Sequence, residues 1–126
     1  MPKQFIQTST APKPVGPYSQ AIKVGPFVFV SGQGPRDPTT GKITSTIEGQ
    51  TRQVLLNIKA LVEASGLSLS DVVRVSVFLK NASDFGKMNA AYKTFFKDNP
   101  PTRTTVGVKL VERGMLIEMD AIAYQE

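Results

Sequence analysis

Asn99-Pro-Pro-Thr-Arg103-Thr-Thr-Val-Gly-Val-Lys-Leu110 and Met115-Leu-Ile-Glu118-Met-Asp120-Ala-Ile-Ala-Tyr124, parted by the polar break Glu112-Arg113-Gly114, decide how this chain folds. Both segments have strand composition. The first carries an arginine just inside its start, and the second carries two carboxylates in an otherwise apolar run. A strand period of two puts Arg103, Thr105 and Gly107 on one face and Thr104, Val106, Val108 and Leu110 on the other. Paired as an antiparallel hairpin, the two segments bring Arg103 and Glu118 near the same end of the ribbon. A guanidinium fork beside an acid, with small hydroxyl or glycine neighbours, suits capture of a small carboxylate. The plainer reading is an ion pair at a strand edge.

At 126 residues, 40% apolar and 20% charged, the chain has the size and composition of one soluble domain, residues 1–126. No window approaches the ~18 apolar residues of a membrane span. The start, Met1-Pro-Lys-Gln-Phe-Ile-Gln7, lacks the apolar core of a secretory signal. The expected setting is the cytoplasm, with no membrane partner.

Two absences narrow the chemistry. Without cysteine there is no disulfide, thiolate nucleophile or Cys-based metal site. Without histidine there is no imidazole base, which removes the usual triads and most zinc or iron sites, so no metal is expected. Acid-base work falls to Asp, Glu, Lys, Tyr or ordered water. The net charge of +5 admits a polyanion partner, but Lys and Arg are scattered, without a run or a basic helix face, which argues against nucleic acid.

From the N-terminus, Phe5-Ile-Gln-Thr8 is a short candidate edge strand. Ala11-Pro-Lys-Pro-Val-Gly-Pro17-Tyr18-Ser19-Gln20 is too rich in Pro and Gly for regular structure. Its stiffness would present Tyr18 in a fixed place, or the ring simply covers the core edge. Ala21–Val24 and Phe27–Val30 read as strands joined at Gly25-Pro26, the second apolar throughout and therefore central. That strand opens into Ser31-Gly32-Gln33-Gly34, whose small residues let a ligand approach the backbone. Asp37-Pro-Thr-Thr-Gly41 is a surface turn.

The clearest helix is 47–64, with Ile47, Thr51, Val54, Leu55, Ile58, Leu61 and Val62 in a single stripe. Ser45 and Glu48 have capping-box spacing, and Gly66 stands where a C′ glycine belongs. Val72–Leu79 is a strand in which Val73, Val75, Val77 and Leu79 alternate with Arg74, Ser76 and Phe78. A second helix spans 84–98 with Ser83 as N-cap and the stripe Phe85, Met88, Asn89, Tyr92, Phe95 and Phe96. Asn89 is the polar member of that stripe, either a satisfied structural amide or a ligand contact. The order β-β-β-α-β-α-β-β folds into one sheet with both helices on one face, an α+β sandwich. The other face is left uncovered and partly apolar, which points to a homo-oligomer.

Taken together, Gly16-Pro17-Tyr18-Ser19-Gln20-Ala21, Phe29-Val-Ser-Gly-Gln33, Asp37-Pro-x-Thr-Gly41, Gln53-x-x-x-Asn57, Phe78-Leu79 with Asn89, Pro101-x-Arg103-x-x-Val106 and Ile117-Glu118-x-x-Ala121-Ile-Ala123 carry a resemblance. Over nearly its whole length the chain resembles the Rid (reactive intermediate deaminase, YjgF) family. The resemblance implies a chorismate-mutase-like fold assembled as a homotrimer with clefts between subunits. It implies cofactor-free hydrolysis of enamines and imines, such as 2-aminoacrylate, 2-iminopropanoate and 2-iminobutanoate, to a 2-oxo acid and ammonia. By position, Arg103 looks like the clamp of the substrate carboxylate, and Glu118 like the group that orients or activates the attacking water. Tyr18, Ser31, Gly32 and Asn89 look like residues lining the cleft, with Tyr18 presented by a neighbouring subunit. Typical deaminases of the family have a cysteine where this chain has Thr105, whose backbone amide is still available to substrate.

The expected chemistry fits what the sequence lacks, because an imine is already electrophilic and needs only carboxylate capture, a positioned water and a mild acid-base group. Glu118 has either a raised pKa through burial or a lowered one beside Arg103. Two other classes remain: a non-catalytic trimer that binds a keto acid at Arg103, and a ribonuclease or translation inhibitor. RNA cleavage usually uses histidine or metal, and an RNA surface wants clustered cations with exposed aromatics.

Overall fold

Strands β1 (Lys3–Ile6), β2 (Ala21–Val24), β3 (Phe27–Gln33), β4 (Val72–Leu79), β5 (Thr102–Gly107) and β6 (Ile117–Tyr124), with helices α1 (Ile47–Ala64) and α2 (Phe85–Lys93), make up the computed structural model, which describes residues 1–126. The strands form one sheet in the order β1-β2-β3-β6-β4-β5, and α1 and α2 pack side by side on one face of it. The expected element order and α+β class are those observed, with β1 at the edge and β3 inside.

The hairpin of the last two strands does not form. β4 lies between them, pairing parallel with β5 and antiparallel with β6. Val75, Val77 and Leu79 of β4 are fully or almost fully buried, and a strand so deep in the core needs hydrogen-bond partners on both edges. α2 supplies the crossover that a parallel β4–β5 pair requires. The segment 108–114 then has to cross one strand, a step of only about 10 Å, well within its reach.

Helix α1 matches its expected span, and its apolar stripe is buried from Ile47 to Val62. The N-cap, however, is Thr46, whose hydroxyl accepts from Gly49 N at 3.1 Å, in place of the Ser45–Glu48 box. Gly66 closes the helix at φ +87, a left-handed conformation that favours glycine. Helix α2 ends at Lys93, short of the expected 98, and Asp84 rather than Ser83 stands at its start. In β4 the register shifts between Val72 and Arg74, so Val72 turns into the core and Val73 out to solvent, against simple alternation.

The helix-covered face holds the core, in which Val54, Leu55, Ile58, Leu61, Val75, Val77, Met88, Ile117 and Met119 lie together. The opposite face has no cover from this chain. Phe5, Phe27 and Phe29 are exposed there, and Phe27 stacks against Phe29 and Tyr124 at centroid distances of 6.1 and 5.1 Å. This explains why β3 reads as apolar throughout: Val28 and Val30 face the core, and the two phenylalanines form part of an open apolar patch.

Candidate active site

The residues singled out in the sequence fall into two groups. The first surrounds Glu118 on the open face. Glu118 alternates along β6 with the buried Ile117 and Met119, and so points away from the core. A β-bulge between Val30 and Gln33 of β3 brings Ser31 and Gly32 alongside. A Cβ on Gly32 would collide with the Glu118 carboxylate, so any larger residue here would push that side chain out of its present position. Tyr18, Ser31, Gly32 and Glu118 line a cavity of about 400 Å³, whose rim includes Val15, Val111 and Met115.

Buried side-chain amides hold this group in place. Gln20 donates to the carbonyls of Thr8 and Pro12 at 3.1 and 2.9 Å and accepts from Thr8 N at 2.8 Å, which fastens the proline-rich loop carrying Tyr18. The Ser31 hydroxyl donates to Ser19 O at 2.6 Å, tying the same loop to β3. Gln50 of α1 donates to Gly114 O at 2.8 Å and accepts from Leu116 N at 2.7 Å, which sets the entry to β6 and hence Glu118. Asn57, also on α1, donates to the carbonyls of Gly34 and Arg36 at 3.0 Å, beyond the bulge. The helix therefore braces two walls of the cavity. An Arg36–Glu112 ion pair bridges the loops above it.

The Glu118 carboxyl has no hydrogen-bond or ion-pair partner in its own chain. Burial pushes its pKa above the usual carboxylate value, and the negative charge of Asp120 pushes it further the same way. Of the two directions open from sequence, the upward one holds, because Arg103 is not its neighbour.

The second group surrounds Arg103. Arg103 is level with Val75 of β4, so its side chain lies on the helix-covered side, beneath α2. Its guanidinium carbon is 4.8 Å from the centre of the Tyr92 ring and 5.6 Å from that of Phe85. No acidic group of the chain pairs with it; the ion pairs present are Arg36–Glu112 and Lys59–Glu63. Asn89, Tyr92, Lys93, Pro101 and Arg103 line an open cavity of about 480 Å³. Asn89 Oδ1, Tyr92 Oη and Thr105 Oγ1 are buried without a hydrogen-bond partner in the chain. Burial raises the Tyr92 phenol to about 12, against a smaller downward pull from Arg103.

The expectation that Arg103 and Glu118 meet on one ribbon does not hold within a chain. They lie on opposite faces of the sheet. Arg103 is level with Val75 and Ala121, whereas Glu118 is level with Phe78 and Val106, about 10 Å further along the strands. One group holds a cation without an ion-pair partner, the other an acid without one.

Residues 8–125 match the family model described as endoribonuclease L-PSP. The chain belongs to the Rid (YjgF/RutC) family. It is 54% identical to a RutC family protein of Pyrococcus horikoshii, over 98% of this chain and 99% of that one. It is 43% identical to the 2-iminobutanoate/2-iminopropanoate deaminase of Dermatophagoides farinae, over 99% and 98% of the two chains. Among solved structures, the Escherichia coli TdcF structure with bound serine superposes with a TM-score of 0.94 at 39% identity, covering 98% of this chain and 99% of that one. The fold of this Rid protein is thus the one its motifs implied. No helix is long and apolar enough to cross a membrane.

The bracing role of the residues behind the Glu118 cavity was not legible in the sequence, although Gln20 and Asn57 stand within the family motifs. Gln20, Gln50 and Asn57 are polar residues at buried positions, a signal only once burial is known. Tyr92 and Phe85 were legible as helix stripe but not as neighbours of Arg103.

Proposed function

We propose that this Rid protein hydrolyses reactive enamines and imines to 2-oxo acids and ammonia, without a cofactor. 2-Aminoacrylate, its tautomer 2-iminopropanoate, and 2-iminobutanoate are the expected substrates. Arg103 of one copy binds the substrate carboxylate, and Glu118 of a neighbouring copy serves the reacting carbon. Tyr18, Ser31, Gly32, Asn89 and the Thr105 backbone complete the cleft.

The carrying observation is that Arg103 and Glu118 are both unpaired in their own chain yet stand on opposite faces of its sheet. A second copy turns two incomplete half-sites into one cleft, and the uncovered aromatic face supplies a surface for the assembly, read as a trimer. The D. farinae relative, named an imine deaminase, supports the choice of reaction.

The chemistry follows from the two groups. Arg103 fixes the carboxylate through two parallel N–H donors and orients the adjacent C=N carbon. With the imine nitrogen protonated, ionised Glu118 takes a proton from water as the water oxygen bonds to that carbon and the C=N π pair moves to nitrogen, giving a carbinolamine. Glu118 passes that proton to nitrogen. The carbinolamine hydroxyl then gives its own proton to Glu118 as the C=O bond forms and the C–N bond breaks, and the departing ammonia carries that proton away, leaving the 2-oxo acid. A carboxyl with a raised pKa is a better base and retains its proton nearer neutrality, as both steps need. The cytoplasm, where such intermediates arise, is the fitting location.

Subunit mixing tests the shared cleft. Arg103→Ala and Glu118→Gln are each expected to be inactive alone. Mixed assemblies of the two variants recover activity in about a quarter of clefts, because a cleft can draw its arginine and its glutamate from different copies. No recovery from verified mixed trimers would place both residues in one chain's site and overturn the arrangement. Thr105, standing where typical deaminases have cysteine, favours one second reading: a trimer that binds a 2-oxo acid without turnover. Ammonia release from freshly generated 2-iminobutanoate separates the two.

A further inference from the structure

Arg103 poses a physical problem that its own chain has to solve. A long cationic side chain waiting for an anion samples many rotamers, and each must be given up on binding. A permanent carboxylate partner would order it, but would occupy the N–H donors that the ligand needs. This chain places no carboxylate there and sets two aromatic rings over the guanidinium instead, Tyr92 at 4.8 Å and Phe85 at 5.6 Å. A ring face attracts a cation through its quadrupole and leaves the N–H edge free.

Tyr92 is suited to the task. It is 6% exposed, lies two turns along α2 from Phe85, and is braced by Phe96 at a centroid distance of 4.9 Å. Its hydroxyl bonds to nothing in the chain, so the contribution visible in the structure is that of the ring. The phenol, raised to about 12 by burial, stays neutral and cannot compete as an anion for the guanidinium.

We propose that Tyr92, with Phe85 as the second ring, is the positioning residue of Arg103: the aromatic cradle holds the guanidinium in its carboxylate-binding geometry before any ligand arrives. This rests on the reading of Arg103 as a carboxylate clamp.

Three variants test it. Tyr92→Leu removes the ring, Tyr92→Phe keeps the ring and removes the hydroxyl, and Phe85→Leu removes the more exposed ring. In Tyr92→Leu, KM for 2-iminobutanoate and Kd for 2-oxobutanoate rise about tenfold (about 1.4 kcal/mol), while kcat changes by less than about twofold. Tyr92→Phe stays within about twofold of the native protein, and Phe85→Leu shifts binding by about threefold. A second readout needs no ligand: the NMR order parameter of the Arg103 Nε–H bond is high in the native protein and in Tyr92→Phe, and drops in Tyr92→Leu.

A folded Tyr92→Leu with native affinity and a native order parameter would overturn the proposal. So would a Tyr92→Phe as impaired as Tyr92→Leu, since the hydroxyl would then be the active part. If Tyr92→Leu does not fold, Phe85→Leu decides by the same two measurements. Should the native protein bind no 2-oxobutanoate, the clamp reading fails, yet the order parameters still decide whether the rings hold Arg103.

Discussion

The two half-sites solve opposite problems. Around Glu118 the chain removes water and adds a like charge, and so raises the free energy of the carboxylate. Around Arg103 it sets no counter-charge and lays ring faces against the guanidinium. The acid is pushed toward taking a proton, and the guanidinium is held against aromatic rings. Each half-site is anchored to the core from behind, by Gln50 and Asn57 on one side and by α2 on the other. What separates them is the sheet itself.

The comparison breaks most visibly at the cation. Arg103→Ala should lower kcat/KM by roughly 10²–10³-fold, the loss of a bidentate charge-assisted pair, while size-exclusion chromatography shows an unchanged assembly. Activity retained by a folded variant would mean that the two half-sites do not share a substrate.

Glu118→Gln should lower kcat by about 10²-fold with little change in KM. Equal losses in both constants would reduce Glu118 to a wall of the cavity. The native pH profile should have an acid limb above the ordinary carboxylate range, and the variant should lack it. The same group carries a stability signature. Its folded-state pKa is raised, so its contribution is fully present below the unfolded value and is lost as pH rises through the folded one. Glu118→Gln should therefore raise Tm at pH 7 and leave it unchanged below about pH 4. A Tm gain that grew on acidification would show that the sign is wrong.

Gln50→Ala strikes the support of only one half-site. It leaves Leu116 N and the Gly114 carbonyl without their partners, at a cost of about 2–3 kcal/mol in denaturant unfolding. Its activity should fall through Glu118, with 2-oxobutanoate binding at Arg103 little changed. The smallest effect belongs to Thr105→Val, which removes a buried hydroxyl that has no partner and should stabilise by about 1 kcal/mol. A loss of stability would mean that the hydroxyl has a partner in the assembled protein.

Much of the fold could be read directly. α1 was legible because its burial is periodic over five turns, and no other structure satisfies that stripe. The pairing of the last strands was not legible. Antiparallel neighbours in sequence usually pair, and only the depth of β4, whose residues need partners on both edges, decides that they are split. The site shows the same division. Arg103, Glu118 and Gly32 stood out by residue type and motif, whereas Tyr92 looked like an ordinary member of a helix stripe and Gln50 like a polar residue outside one.

By itself, then, the sequence determined the element order, the family, and a chemistry confined to carboxylate, guanidinium, phenol and water, because residue type and period are local properties. Tertiary structure alone decided which face each charge occupies, that Glu118 titrates upward, and that Arg103 rests on aromatic rings. Those outcomes depend on distance and burial, which arise only when strands far apart in the chain are hydrogen-bonded side by side.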